Sequence, residues 1–119
     1  MDHNIAIVCG TLAAAPELRV FTNGTTLVRY LVTTRSEEPR RRIDVVPVVL
    51  WDPDDDAKRY ERGDRIWIAA SVQRRFWSDD RGARSRIEIV AHHVVQRDID
   101  DDAPWGPEMV AMVEETTQV

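Results

Sequence analysis

Cysteine is almost absent from this chain. Cys9 stands alone, so no internal disulfide can form, and a reducing compartment is the expected setting. Long apolar runs are missing too. None approaches the roughly 18 residues that a membrane-spanning helix requires. The opening Met1-Asp2-His3-Asn4 has no basic region, which argues against a signal peptide. A soluble, cytoplasmic protein with no membrane association follows as the expectation.

The chemistry of catalysis is equally scarce. The three histidines are His3, His92 and His93. The last two are neighbours in a strand-like stretch, where adjacent side chains point to opposite faces and cannot readily chelate one ion. There is no Gly-x-x-x-x-Gly-Lys loop to cradle phosphate and no Gly-x-Ser-x-Gly elbow. Asp54-Asp55-Asp56 and Asp100-Asp101-Asp102 are read as helix-capping and solvated acids, with loose divalent-cation binding as the alternative. The expectation is a chain with no catalytic residues, no metal and no cofactor.

Charge is unevenly spread. The net charge is −5. Residues 1–97 nevertheless hold all 16 basic side chains against 14 acidic ones, and residues 98–119 hold seven acids and no base. Such a split predicts a basic body, residues 1–97, followed by an acidic, flexible tail, residues 98–119. All but one of the cations are arginine, which binds phosphate bidentately and stacks on planar groups. A coding bias toward arginine would explain that preference equally well, but not the split.

The hydropathy pattern is mostly that of strands. Residues 5–12 read as a first strand, with a bulge or bend at Gly10. Residues 17–21 resume it after Pro16. Thr22-Asn23-Gly24-Thr25 is a turn signal, because Asn-Gly tolerates positive φ. Residues 27–34 form the next strand, and 35–42 a charged loop or hairpin tip. Residues 43–51 are rich in valine and read as a central strand, in which Pro47 implies an edge or a bulge. The one helix is predicted over 53–62, with Asp52 as cap, Pro53 at its first position and Gly63 as its stop. Residues 65–76 and 84–95 make a long hairpin about Asp80-Arg81-Gly82. This order, with one helix inserted among strands, suits an all-β, five-stranded Greek-key barrel.

Aromatic placement points toward binding. A protein that holds single strands needs flat side chains on a cationic surface, since each base offers a π-face and each phosphate a charge. Trp51 ends the central strand. Trp77 sits near the hairpin tip in Arg74-Arg75-Phe76-Trp77, directly after two arginines, where core packing is the weaker explanation. Phe76 faces away from Trp77 and is a further candidate for nucleic-acid contact, barrel packing being the alternative. Trp67 lies out of phase with Ile66 and Ile68 and is expected at a subunit interface. Arg40-Arg41-Arg42 form a loop cluster suited to phosphate, a solvated patch being the alternative.

In this order and spacing the motifs resemble the bacterial single-stranded-DNA-binding protein family over about residues 4–97. Pro16-Glu17-Leu18-Arg19 with Asn23-Gly24-Thr25 is similar to its early hairpin, and Val48-Val49-Leu50-Trp51 to its central strand. Tyr60-Glu61-Arg62-Gly63-Asp64 is similar to its connector, and Arg75-Phe76-Trp77-Ser78-Asp79-Asp80 to its tryptophan-bearing hairpin tip. The resemblance implies an OB-fold, a homodimer or homotetramer, and a nucleoid-associated role in DNA replication, repair or recombination. It places Trp51 and Trp77 at stacking positions and Arg35, Arg74, Arg75 and Arg86 near phosphate.

The departures indicate a divergent or accessory paralogue. Two further stacking tryptophans of the family have no counterpart in Ser36-Glu37-Glu38-Pro39 or Asp44-Val45-Val46, and Ile68-Ala69-Ala70-Ser71 lacks a usual glycine. The stretch Asp98-Ile99-Asp100-Asp101-Asp102-Ala103-Pro104-Trp105 is similar to the acidic terminal peptide that docks replication and repair proteins. Here the chain runs on to Val119, so 98–105 is either a docking motif or an acidic spacer. Two other functions stay open: a protein-interaction barrel with decayed DNA binding, and a primosome-type or RNA-binding subunit.

Overall fold

The computed structural model describes residues 2–97 together with 110, 111 and 114. Six strands follow in chain order: β1 (Ala6–Leu12), β2 (Glu17–Val20), β3 (Thr26–Ser36), β4 (Arg42–Trp51), β5 (Arg65–Asp79) and β6 (Gly82–Gln96). They lie in the order β1-β5-β6-β4-β3-β2, and β1 also pairs with β3. That last pairing closes five of the strands into a barrel, with β2 added along β3. All pairings are antiparallel except β4 with β6. This is the OB-fold, a Greek-key barrel.

Alternation builds the core. Val28, Tyr30 and Val32 of β3 point inward to meet Val48 of β4, Ile66, Ile68 and Ala70 of β5, and Val8 and Leu12 of β1. At ~25 cal/mol per Å² of apolar surface removed from water, this cluster is the main source of stability. Gly10 is a point of closure, and the bulge or bend expected there is absent: the residue pairs regularly with Ile66. Its backbone passes so close to β3 that a Cβ would collide with the Thr33 carbonyl. The irregularity lies instead between Ala69 and Ala70 of β5. Pro47 sits where β4 is paired only on its β3 side. The ladder with β6 begins one residue later, at Val48, so no hydrogen bond is forfeited.

The helix expected over 53–62 does not form. Only a 3-10 turn at Asp56–Lys58 is present. The connector finds other partners for its backbone. The Asp54 carboxylate accepts from the Ala57 N–H (2.8 Å), and the Ala57 carbonyl, which a helix would offer to Glu61, accepts from the Tyr30 hydroxyl at 2.6 Å. The Glu61 N–H goes to the Asp64 carboxylate. Ala57 is thereby buried against the end of the barrel. Burial pushes the Tyr30 hydroxyl pKa far up, with Tyr60 and Asp54 adding to the effect. Burial likewise raises Tyr60, helped by Asp54, Asp56 and Asp64.

Two hairpins outrun the barrel. The β3–β4 ladder continues to Ser36–Arg42, leaving residues 37–41 as its loop. The β5–β6 ladder continues to Asp79–Gly82. The barrel part of β5 ends near Val72, whose backbone N–H and carbonyl are both bonded by the side chain of Asn4. Beyond it, β6 has left β4 after two paired positions. The β5–β6 arm is then free to curl across the face of β2, β3 and β4.

Candidate functional site

Between that arm and the sheet lies a groove of about 320 Å³, lined by Glu17 and Arg19 of β2, Leu27 and Arg29 of β3, Pro47 and Val49 of β4, and Arg75, Arg86, Ile87, Glu88 and Ile89 of β5 and β6. Strand parity selects these residues. Cross-strand partners share a face, and the pairs Glu17–Arg29, Arg19–Leu27 and Arg29–Val49 lie on the side of the wall opposite the core. On the arm, Arg75 pairs with Arg86 and Gln73 with Glu88, placing both arginines and the carboxylate on one face with Trp77. The lining is apolar at its base and cationic around it.

Aromatics stand at one end of the groove. Phe21 and Trp51 are stacked, with centroids 5.6 Å apart and planes inclined by 25°. The Arg75 guanidinium lies 5.7 Å from the Phe21 centroid and 5.3 Å from that of Trp51. These three distances form a nearly equilateral triangle, so the guanidinium flanks the ring pair instead of capping either outer face. Arg75 also lies 6.0 Å from the Trp77 centroid, and Arg86 lies 5.7 Å from it. Two cations are thus held close to three aromatic rings.

A carboxylate organises the cations. Glu88 is only 8% exposed. Its Oε1 accepts from Arg86 Nη2 at 3.2 Å and from Arg75 Nη1 at 3.5 Å. At the open end, Arg84 pairs with Asp79 at 3.0 Å. Toward the barrel the same face turns polar: Ser71 bonds His92 at 2.8 Å, and Gln73 donates to Ser71 at 3.0 Å.

The residues expected to act together are only partly brought together. Trp51, Trp77, Arg75 and Arg86 converge on the groove. Arg74 and Phe76 fall on the opposite face of the arm, where the Arg74 guanidinium lies 5.9 Å from the Phe76 ring. Arg35 shares the face of Arg29 but sits at the far end of β3, outside the groove. Arg40 and Arg41 are exposed in the β3–β4 loop. Arg42 is held by Asp44 at 2.8 Å, and that hydrogen bond raises its pKa further. The tail residues Asp98, Asp100, Asp101, Asp102, Pro104 and Trp105 lie outside the described residues.

Trp67 corrects an expectation. It is 5% exposed within the single chain, with the Arg97 guanidinium 4.5 Å from its ring, so it offers no open ring to a second copy. Of the groove lining only Arg75 and Arg86 are site candidates in the sequence; Arg19, Arg29 and Glu88 are not singled out there, nor is Phe21 beside Trp51. Phe21 had a usable signal. It ends the segment before the Asn-Gly turn, and that turn returns the chain to Leu27, the partner of Trp51.

Among the described residues no three His, Cys, Asp or Glu side chains gather to hold a metal. Burial pushes the Cys9 thiol pKa up, against the opposing pull of Arg65 and Arg97, which keeps it from being a ready nucleophile. The class defined by fold and groove is a barrel whose outer face presents clustered cations and aromatic rings. Residues 3–97 match the model of the Single-strand binding protein family, and the chain belongs to that family. Among solved structures it is similar to the Plasmodium falciparum SSB in complex with ssDNA, with a TM-score of 0.63 and 17% identity. The match covers 82% of this chain and 97% of that one. At that identity the likeness speaks for the fold. Comparison with curated proteins gives no match.

Proposed function

We propose that the protein binds single-stranded DNA without catalysis and with broad sequence tolerance, using the groove beneath the β5–β6 arm. The observation that carries this reading is the convergence of Arg75 and Arg86 on Phe21, Trp51 and Trp77. Bases stack on the rings at ~1–3 kcal/mol each, and phosphates engage the guanidiniums. Family membership supports the reading, as does the ssDNA carried by the similar Plasmodium protein. A role in replication, repair or recombination, and assembly into dimers or tetramers, belong to the same proposal and rest on the family alone.

Four arginines line the groove and two glutamates oppose them. With a slope of about −0.7 per phosphate neutralised on single strands, log affinity should fall with log salt at roughly −2 to −3. Titration with poly(dT), followed by tryptophan fluorescence at low and moderate salt, tests this. Saturable quenching that weakens as salt rises is expected. Absence of quenching at low salt overturns it. A protein-docking barrel is the second reading, favoured by Val72 and Phe76, which are exposed on the arm's other face. It predicts binding that salt does not weaken.

A further inference from the structure

Glu88 is out of place in a groove that only collects phosphate. It is nearly buried beneath two arginines, and its charge opposes the very group they would bind. Burying a carboxylate is costly unless it is paired and hydrogen-bonded, and here both contacts from the arginines go to Oε1. Glu88 itself belongs to the groove lining, with Leu27, Pro47 and Val49 alongside.

We infer that Glu88 makes the floor of the groove a subsite for one nucleobase, preferring bases that present an exocyclic amino group. The inference rests on the strand-binding reading above. Repulsion keeps phosphate off the floor and leaves it to the arginines around it, Arg19, Arg29, Arg75 and Arg86. A base entering the floor meets apolar Leu27, Pro47 and Val49 on its flat face and the carboxylate at its edge. The amino groups of cytosine, adenine and guanine donate to such an acceptor. Thymine offers only its N3–H, flanked by two carbonyl oxygens that a carboxylate repels. The groove's volume, about 320 Å³, is at the small end of ordinary ligand pockets and suits one base.

The test compares oligo(dC) with oligo(dT) of equal length, at fixed salt and pH 8, for the wild-type chain, Glu88→Gln and Glu88→Met. The two strands differ at the base edge, and any general preference for flexible strands cancels when ratios are compared between proteins. The ratio of affinities, dC over dT, should fall about threefold in Glu88→Gln, which keeps an acceptor but loses the charge. It should fall about tenfold in Glu88→Met, which loses both. Binding of oligo(dT) itself should tighten in Glu88→Gln, with a salt slope steeper by about 0.7. A ratio unchanged in both variants overturns the base subsite, even if overall affinity shifts, because Glu88 would then act only through the arginines. A wild-type chain that binds neither strand overturns the strand-binding reading itself.

Discussion

The β5–β6 hairpin behaves differently inside the barrel and beyond it. Inside, every residue of β5 from Ile66 to Ser71 is buried, whichever way it points. Inward side chains meet the core, and outward ones are covered by neighbouring parts of the chain. Beyond Val72 the inward residues have lost the barrel. Phe76 is 71% exposed and Ile87 58%, while outward Arg75, Trp77, Arg86 and Glu88 have a groove to face. One ladder, with a single register shift at Ala69/Ala70, is thus a structural wall along half its length and a projecting arm along the other half. The lesson is that Arg74-Arg75-Phe76-Trp77 is not one patch. Parity splits it into two.

The wall can be broken without touching the arm. Gly10→Val, which forces a side chain into the Thr33 carbonyl, should cost about 3 kcal/mol or more, seen as a large drop in the urea midpoint. A midpoint unchanged by this substitution would mean that β1 does not close on β3 there. Trp51→Ala removes a stacking surface and should weaken binding of oligo(dT) by ~1–3 kcal/mol, measured by anisotropy. An unaltered affinity would take Trp51 out of the interface.

Tyr30→Phe leaves the buried Ala57 carbonyl without the hydroxyl that donates to it and should destabilise by ~1–2 kcal/mol. It should also change the response to alkali. The Tyr30 pKa is raised in the folded chain, so its contribution is fully present below the ordinary tyrosine value of about 10. It is lost progressively as pH rises above that value. Thermal melts between pH 8 and 11 should therefore show the wild type losing stability faster than Tyr30→Phe, and parallel curves would contradict this. Smaller still is the contrast between Arg75→Gln and Arg74→Gln. The first should flatten the salt slope by about 0.7, and the second should leave it nearly unchanged.

Much of the fold was legible from local pattern. Alternation in 43–51 and 65–76, the Asn-Gly turn and the closing hairpin all led to the barrel, because a strand's period is a property of few residues. The helix over 53–62 was misread for a physical reason. Asp52, expected as the cap, sits instead at a left-handed φ of 50°, and Tyr30 and Asp64 compete for the helix's backbone groups from outside the segment. The site was half legible. Trp51, Trp77, Arg75 and Arg86 stood out by residue type, whereas Phe21 is brought to Trp51 only by strand pairing. Glu88 looked like one more polar residue of an alternating strand, and its burial depends on the arm curling over β2–β4. Residues 36–46 carry no tryptophan, while Phe21, just past the end of β2, stacks against Trp51.

The most direct measurement places Trp77→Ala beside Phe76→Ala, with affinity for oligo(dT) measured for both under the same low salt. The two residues are adjacent in the chain and carried by one strand, yet they lie on opposite faces of the arm. Trp77→Ala should weaken binding by ~1–3 kcal/mol, and Phe76→Ala should leave it within a factor of about two. Equal losses, or a larger loss at Phe76, would contradict the assignment of the interface to the groove face.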